Sequence, residues 1–293
     1  MIYGLQLGSV YALLAIGYTL VYGIISLINF AHGDFLMIGA FLVYFAVTLF
    51  FNNQSLNLLI VLFVIILSMV LSGLLGVGVE RAAYKPLRKR PRLSALIAAI
   101  GVSIVLENLP RAIPFIGPNP RPFPSLFKMT AFSFGGVNIN SVQIIMIVMS
   151  IVLMISLDYF VRNTKIGRQM RAVSYDKDGA ALMGINVNNV VSVTFFIGTA
   201  LAAISGIFYA SIYPVIDVYM GIWLGTKAFI AAVLGGIGDI RGAMLGGFIM
   251  GIAEIFATSV NSELGYGVGF VILILILSFK PEGIMGKRTI EKV

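Results

Sequence analysis

The 293-residue sequence contains no cysteine and a single histidine, His32. The absence of cysteine excludes disulfide bonds and thiolate ligands for a metal. With one histidine, a histidine-based zinc site lacks the ligands that it needs, so we expect no metal site. These absences remove two common ways in which a protein builds a reactive centre.

Charged residues are also scarce, at 11% of the chain, whereas soluble domains carry about 25%. Hydrophobic residues make up 59%, and the mean hydropathy is +1.01. This composition predicts an all-α polytopic membrane protein that lies in a lipid bilayer. We expect a single transmembrane domain over residues 1–293.

Motifs for nucleotide binding and for hydrolysis are absent. The chain lacks the phosphate-binding pattern G-x-x-x-x-G-K-[ST], and it also lacks G-x-S-x-G and H-E-x-x-H. Acidic residues inside apolar runs, which a proton relay would need, are limited to Asp34, Glu107 and Glu254. We therefore expect no enzyme and no cofactor of its own, and a passive pathway that is driven from outside the chain.

The basic residues that are present are clustered. Fifteen of the 20 lysines and arginines fall in residues 81–92, in residues 162–177 and in the tail 280–292. By the positive-inside rule these segments lie in the cytoplasm, which also places the C-terminus there. Nucleic-acid binding is the weaker alternative, because the segments lack interleaved aromatic residues and adjoin membrane spans.

Apolar runs that approach the length of a membrane crossing, about 20 residues, fill most of the chain. We predict about eight or nine spans, some of them broken, and nine spans would leave the N-terminus outside. The predicted spans are 4–28, 35–51, 58–79, 93–109, 141–161, 190–213, 221–237, 243–260 and 265–279. The predicted loops are a basic cytoplasmic loop 80–92, a proline-rich external loop 110–140 with a hairpin near 130–138, and a cytoplasmic loop 162–189.

Two polar interruptions are the best candidates for broken helices. Asn29–Asp34 contains the histidine, Gly235–Gly242 is rich in glycine, and one lies in each half of the chain. Broken helices place helix ends, with their partial charges, near the membrane midplane. This correspondence hints at an inverted repeat. The residues predicted along a substrate pathway are Tyr11, Tyr18, Asn29, His32, Asp34, Gly235, Gly236 and Gly238.

The polar candidates also have purely structural interpretations. His32 can hydrogen-bond across the break, and Asp34 can cap the following helix, since aspartate is a favoured N-cap. The glycines can serve close packing. Lys227 is expected to extend toward the membrane surface, and Asp239 can pair with Arg241.

The cytoplasmic loop 162–189 contains a predicted short helix. Asp176 or Asp178 can cap its start, and Gly184 can end it. The helix itself contains Ala180–Leu182. Small exposed residues on such a helix suit insertion into a groove of another protein, and an ordinary solvated loop is the alternative.

Several segments together resemble a known family. The run Asp178-Gly179-Ala180 followed by Gly184 is similar, with two changes, to the E-A-A-x-x-x-G loop of ABC-importer permeases. The wider similarity extends in order over essentially the whole chain and favours the permeases of high-affinity branched-chain amino acid ABC importers (LivH type). It is carried by Gly8–Leu13, Tyr22–Ile24, Asn29–Asp34, Glu80-Arg81, Tyr84–Leu87, Gly184–Asn186 and Gly235–Gly238.

The resemblance implies a set of partners. A second related permease completes a heterodimer, with a homodimer left open, and two ATPase subunits bind ATP and Mg²⁺ below the membrane. A periplasmic binding protein delivers leucine, isoleucine or valine; urea, short amides or other amino acids are the alternative cargoes. The family places the chain in a bacterial or archaeal cytoplasmic membrane. By the resemblance, the residues that couple to the ATPases are Asp178, Gly179, Ala180, Ala181 and Gly184.

Two other functional classes are carried as alternatives. Broken helices and an inverted repeat also suit an autonomous secondary transporter or a channel. A membrane scaffold without a pathway is the third class. Dependence of uptake on ATPase partners separates the importer from both.

Overall fold

Helices dominate the computed structural model, which describes residues 1–51, 57–88, 90–127, 131–134 and 137–286. The helices are α1 Ile2–Ile25, α2 His32–Phe50, α3 Leu58–Val79, α4 Arg92–Ala112, α5 Ser141–Asn163, α6 Lys165–Tyr175, α7 Lys177–Leu182, α8 Val187–Ile212, α9 Met220–Gly235, α10 Ile240–Val260 and α11 Ser262–Phe279. A π-helical turn Glu80–Tyr84 and a 3-10 turn Lys85–Leu87 continue α3. The strands are β1 Arg121–Pro122, β2 Ala131–Phe134, β3 Val137–Asn140 and β4 Val215–Ile216.

The predicted all-α multi-pass class is confirmed. Within the described ranges, eight helices are long and apolar enough to cross a membrane: α1 to α5, α8, α10 and α11. The predicted span 221–237 corresponds to α9, which has only 16 residues. That length gives roughly 24 Å of helix against a hydrocarbon core of roughly 30 Å. Helix α9 is therefore shorter than a full crossing.

Helix α1 forms the centre of the bundle and is buried over most of its length. It packs against α10 through small residues: a Cβ on Gly247 would overlap Ala12, and one on Gly251 would overlap the backbone of Gly8. Such close backbone approach is typical of helix pairs in lipid. Helices α4, α5 and α11 lie at the periphery, and most of their residues are not buried.

One end of the bundle, called the basic end here, carries residues 80–88, 165–182 and 280–286. Arg88 donates to Asn188 at 2.8 Å, and Lys177 donates to the backbone oxygen of Ile25 at 3.3 Å. The backbone N–H of Ile284 donates to the oxygen of Leu234 at 2.9 Å. The predicted basic loops are thus brought to one end, as a shared side of the membrane requires.

The opposite end, called the proline-rich end, contains residues 113–127 and 213–219. Strands β1 and β4 pair in antiparallel register and join these two segments. Strands β2 and β3 form the predicted hairpin. Helix α4 includes Pro110 and runs to Ala112, so the loop begins later than predicted.

Some sequence predictions fall outside the described residues. They are the basic residue Lys89, the hairpin turn Gly135-Gly136 and the basic tail from position 287 onward.

Candidate functional site

The first predicted break lies slightly earlier in the chain than expected. Helix α1 ends at Ile25, Ser26 adopts a left-handed conformation (φ 56°), and α2 begins at His32. His32 and Asp34 therefore lie in the first turn of α2 instead of in the break. Ala31 occupies the N-cap position, so the capping role considered for Asp34 is wrong. The carboxylate of Asp34 instead accepts a 2.6 Å hydrogen bond from the hydroxyl of Ser103.

His32 is fully buried inside the bundle. Its ring lies 4.6 Å from the ring of Tyr18, centroid to centroid. The imidazole fills the space beside Gly17, so a Cβ added to Gly17 would overlap it. On another side, a Cβ added to Gly198 would lie 3.5 Å from the Cε1 atom of His32. Gly198 is near the middle of α8, so α2 starts within the membrane. This environment gives His32 a packing role, and its contact with a substrate stays a prediction.

The residues around this first break are tied to the basic end. The hydroxyl of Tyr84 donates a 2.6 Å hydrogen bond to the side-chain oxygen of Asn29. Tyr18 and Asn29 line one small cavity together with Phe229. The structure thus brings Tyr18, Asn29 and His32 into one neighbourhood.

The second predicted break has the expected backbone. Helix α9 ends at Gly235, and Gly236 and Gly238 adopt φ values of 106° and 101°, which favour glycine. Asp239 caps α10 by accepting from the N–H of Gly242 at 2.8 Å.

This turn lies at the basic end. A Cβ on Gly236 would overlap residue Gly286, while Gly238 lies beside Gly23. The two breaks lie close together, because Ile28 and Asn29 of the first break and Ile237 of the second line the same small cavity. Arg241 pairs with Asp158 at 3.0 Å, so its expected pairing with Asp239 is wrong.

The segment 165–184 has the predicted local structure. Asp176 caps α7 by accepting from the N–H groups of Asp178 and Gly179 at 3.0 and 3.1 Å. Gly184 ends the helix with φ 79°, and its N–H donates to the oxygen of Ala181 at 3.0 Å. A left-handed glycine after the last helical turn is a common helix stop.

The orientation of α7 differs from the expectation of small exposed residues. Ala180 is buried against the rest of the chain, although Ala181 is exposed. The side chains that project are large: Tyr175 is 95% exposed, Leu182 89% and Met183 83%. Exposed apolar side chains at a polar surface suit a docking site. We call Tyr175, Leu182 and Met183 the apolar knob.

A cavity of about 570 Å³ lies at the proline-rich end, between α1, α9, α10 and α11. Its polar walls include Tyr11, Lys227 and Glu254. The ammonium of Lys227 forms an ion pair with Oε1 of Glu254, and the hydroxyl of Tyr11 donates to Oε2 at 2.8 Å. The expected extension of Lys227 toward the membrane surface is therefore wrong. We call this cavity the lysine–glutamate pocket.

The sequence interpretation missed the partnership in this pocket. Lys227 and Glu254 are charged residues within neighbouring apolar stretches, and charges inside a membrane protein usually pair with one another. That signal could have identified the pair. Tyr11 was predicted along a pathway, and it lies in this pocket, apart from Tyr18 and His32.

The chain has clear relatives. A family model described as "Branched-chain amino acid transport system / permease component" matches residues 1–277. The high-affinity branched-chain amino acid transport system permease protein BraD of Pseudomonas aeruginosa is 42% identical, covering 99% of this chain and 96% of the relative. The LivH permease proteins of Escherichia coli and Salmonella typhimurium are 41% and 40% identical with the same coverage. The family resemblance read from the sequence is confirmed.

Proposed function

The chain belongs to the family of branched-chain amino acid transport system permease components, and we propose that it is the membrane-spanning subunit of an ATP-driven importer. The observation that carries this proposal is the full-length match to relatives described as high-affinity branched-chain amino acid permeases. The eight apolar helices supply the membrane domain that such a role needs. Leucine, isoleucine and valine are the proposed cargo, with urea, short amides or other amino acids as the alternatives within the family.

ATP hydrolysis is assigned to two separate ATPase subunits that bind ATP and Mg²⁺. The chain lacks a phosphate-binding loop motif, which supports this division of labour. The apolar knob at the basic end offers the docking surface. Two of its residues, Leu182 and Met183, directly follow the predicted coupling residues Asp178–Ala181 in the sequence. In this arrangement Ala180 and Gly184 hold the shape of α7, while the knob contacts the ATPase.

The basic end is assigned to the cytoplasm. Basic residues concentrate in the loops of this end, and the positive-inside rule places such loops on the cytoplasmic side. The end of α11 lies on the same side, so the C-terminus is assigned to the cytoplasm as well. The membrane is the cytoplasmic membrane of a bacterium or archaeon.

Two further partners complete the proposed assembly. A second related permease, or a second copy of this chain, would pack against the peripheral helices, where many apolar side chains are exposed. A binding protein would deliver cargo at the proline-rich end, on the side opposite the ATPases. Nucleic acid has no place in this assembly.

Reconstitution of the full importer tests the proposal. The chain, its partner permease, the two ATPases and the binding protein are placed in proteoliposomes, and uptake of radiolabelled leucine is measured. We expect uptake that requires both ATP and the binding protein. An ATPase variant without hydrolytic activity is the control.

The same vesicles separate the alternative classes. Ion-gradient-driven leucine flux through vesicles that contain this chain alone would replace the importer with an autonomous transporter. Uptake of urea or acetamide in preference to leucine would keep the importer but replace its cargo.

A further inference from the structure

We propose that the lysine–glutamate pocket binds the transported amino acid as a zwitterion, with Lys227 receiving its carboxylate and Glu254 its ammonium group. This inference rests on the proposed import function and adds a binding site within the permease. The pocket lies at the proline-rich end, where cargo would enter. Its volume of about 570 Å³ is within the range of roughly 300–1,000 Å³ that is typical of small-molecule sites.

The charges of Lys227 and Glu254 match each other before any ligand arrives. Lys227 and Glu254 each expose 12% of their side chain, so both are largely removed from solvent. A lone charge at such a place in a membrane protein is costly, and each of these charges compensates the other. A zwitterion can insert between them and preserve the balance, because it brings one charge of each sign.

The same balance disfavours other ligands. A cation that pairs with Glu254 separates its carboxylate from Lys227, and an anion that pairs with Lys227 separates its ammonium from Glu254. The cost of such an unpaired buried charge provides selectivity against singly charged molecules. A neutral amide has no charge with which to replace either member of the pair.

Neighbouring groups fix the orientation of the two charged side chains. The hydroxyl of Tyr11 holds one carboxylate oxygen of Glu254 and leaves the other to Lys227. The ammonium of Lys227 also lies 5.5 Å from the centre of the Tyr266 ring, within the range of a cation–π interaction. Asp217 adds a second acceptor to the pocket wall, and its own Oδ1 accepts from the N–H of Tyr219 at 2.7 Å.

The remaining walls suit an aliphatic side chain. They combine aliphatic and aromatic residues: Leu7, Tyr209, Trp223, Leu224 and Ile255. An apolar wall with a few convergent polar groups is the usual construction of a site for a small hydrophobic ligand. The chemical class that fits both halves of the pocket is a free α-amino acid with a hydrocarbon side chain.

A thiol-protection experiment in the complete importer tests this site. The chain has no cysteine, so Thr258→Cys places the only thiol of this subunit in the pocket wall. Leucine at about ten times its Kd should slow labelling by a methanethiosulfonate reagent about tenfold, because the unoccupied fraction falls as 1/(1 + [L]/Kd). Ser259→Cys is the matched control, since Ser259 is exposed next to Thr258 but does not line the pocket.

Leucine analogues that carry a single charge test the separate roles of Lys227 and Glu254. Leucinamide lacks the carboxylate and 4-methylpentanoate lacks the ammonium group, and both should protect much less than leucine at equal concentration. Equal protection by all three molecules would overturn the assignment of Lys227 and Glu254. Absence of leucine protection in an importer that transports leucine would overturn the site itself.

A charge exchange separates binding from a purely structural ion pair. Lys227→Glu combined with Glu254→Lys keeps a pair but inverts the ligand positions. We expect the assembled double variant to lose most of its leucine uptake and most of the protection by leucine. If the ion pair were purely structural, the double variant would keep both. If the unmodified importer shows no ATP-dependent leucine uptake, the proposed function fails, while the protection assay still reports separately on the pocket.

Discussion

The hydroxyl of Tyr84 donates to the side-chain oxygen of Asn29 over 2.6 Å, and both residues are buried. Asn29 belongs to the segment between α1 and α2, and Tyr84 ends the π-helical turn after α3. One contact thus joins the break inside the bundle to the loop at the basic end. Loss of this hydrogen bond should lower the stability of the whole chain.

We expect Tyr84→Phe to destabilise the detergent-solubilised protein by about 1–3 kcal/mol, because the side-chain oxygen of Asn29 loses its partner in a buried place. The measurement is the midpoint of thermal unfolding. Tyr159→Phe is the control, since Tyr159 is 66% exposed and should tolerate the change. Equal midpoints for Tyr84→Phe and the unmodified chain would contradict the importance of this bond.

The packing of His32 can be tested from the opposite side of the contact. Gly17→Ala places a methyl group against the imidazole ring and should cost about 1–3 kcal/mol by overpacking. Gly101→Ala is the matched helical control, because an added Cβ there meets nothing within 4 Å. If both variants unfold at the same temperature, the close fit of His32 against α1 is wrong.

The left-handed conformation of Gly184 allows a test of the coupling between ATP hydrolysis and transport. Gly184→Val should strain the end of α7 by at least about 1–2 kcal/mol, since a side chain disfavours that backbone region. In proteoliposomes of the complete importer, we expect leucine uptake to fall more than ATP hydrolysis does. Gly78→Ala is the control, because an added Cβ there has open space and no unusual φ value. Normal uptake with normal stimulation of the ATPase would assign the segment no role in coupling.

The apolar knob makes a separate prediction about assembly. Leu182→Glu should reduce copurification of the ATPase subunits, because it places a charge in an apolar contact. It should leave the unfolding temperature of the isolated chain unchanged, since 89% of Leu182 is exposed. Asn189→Glu adds the same charge at an exposed position of the basic end and is the control. Full retention of the ATPases by Leu182→Glu would show that they bind elsewhere.

Local features of the fold could be predicted from the sequence because neighbouring residues determine them. Asp176 caps α7 and Gly184 ends it through bonds that span only a few residues. The apolar runs likewise indicated the spans, since a bilayer core sets their length. The turn at Gly236 and Gly238 was predicted for the same local reason.

Features that depend on distant residues could not be predicted in this way. The hydrogen-bond partner of Asp34 is Ser103, which is 69 positions away in the sequence. Lys227 turns inward because it forms an ion pair with the carboxylate of Glu254, which the hydroxyl of Tyr11 holds in place. The buried face of α7 depends in the same way on packing against the rest of the bundle.

The two-residue pairing of β1 with β4 has a mechanical consequence. Val215 pairs with Pro122 and also lines the lysine–glutamate pocket. The loop that follows α4 is therefore fastened to the rim of the cavity by a short ladder. We therefore expect a displacement of that loop to shift Val215, and with it the rim of the pocket.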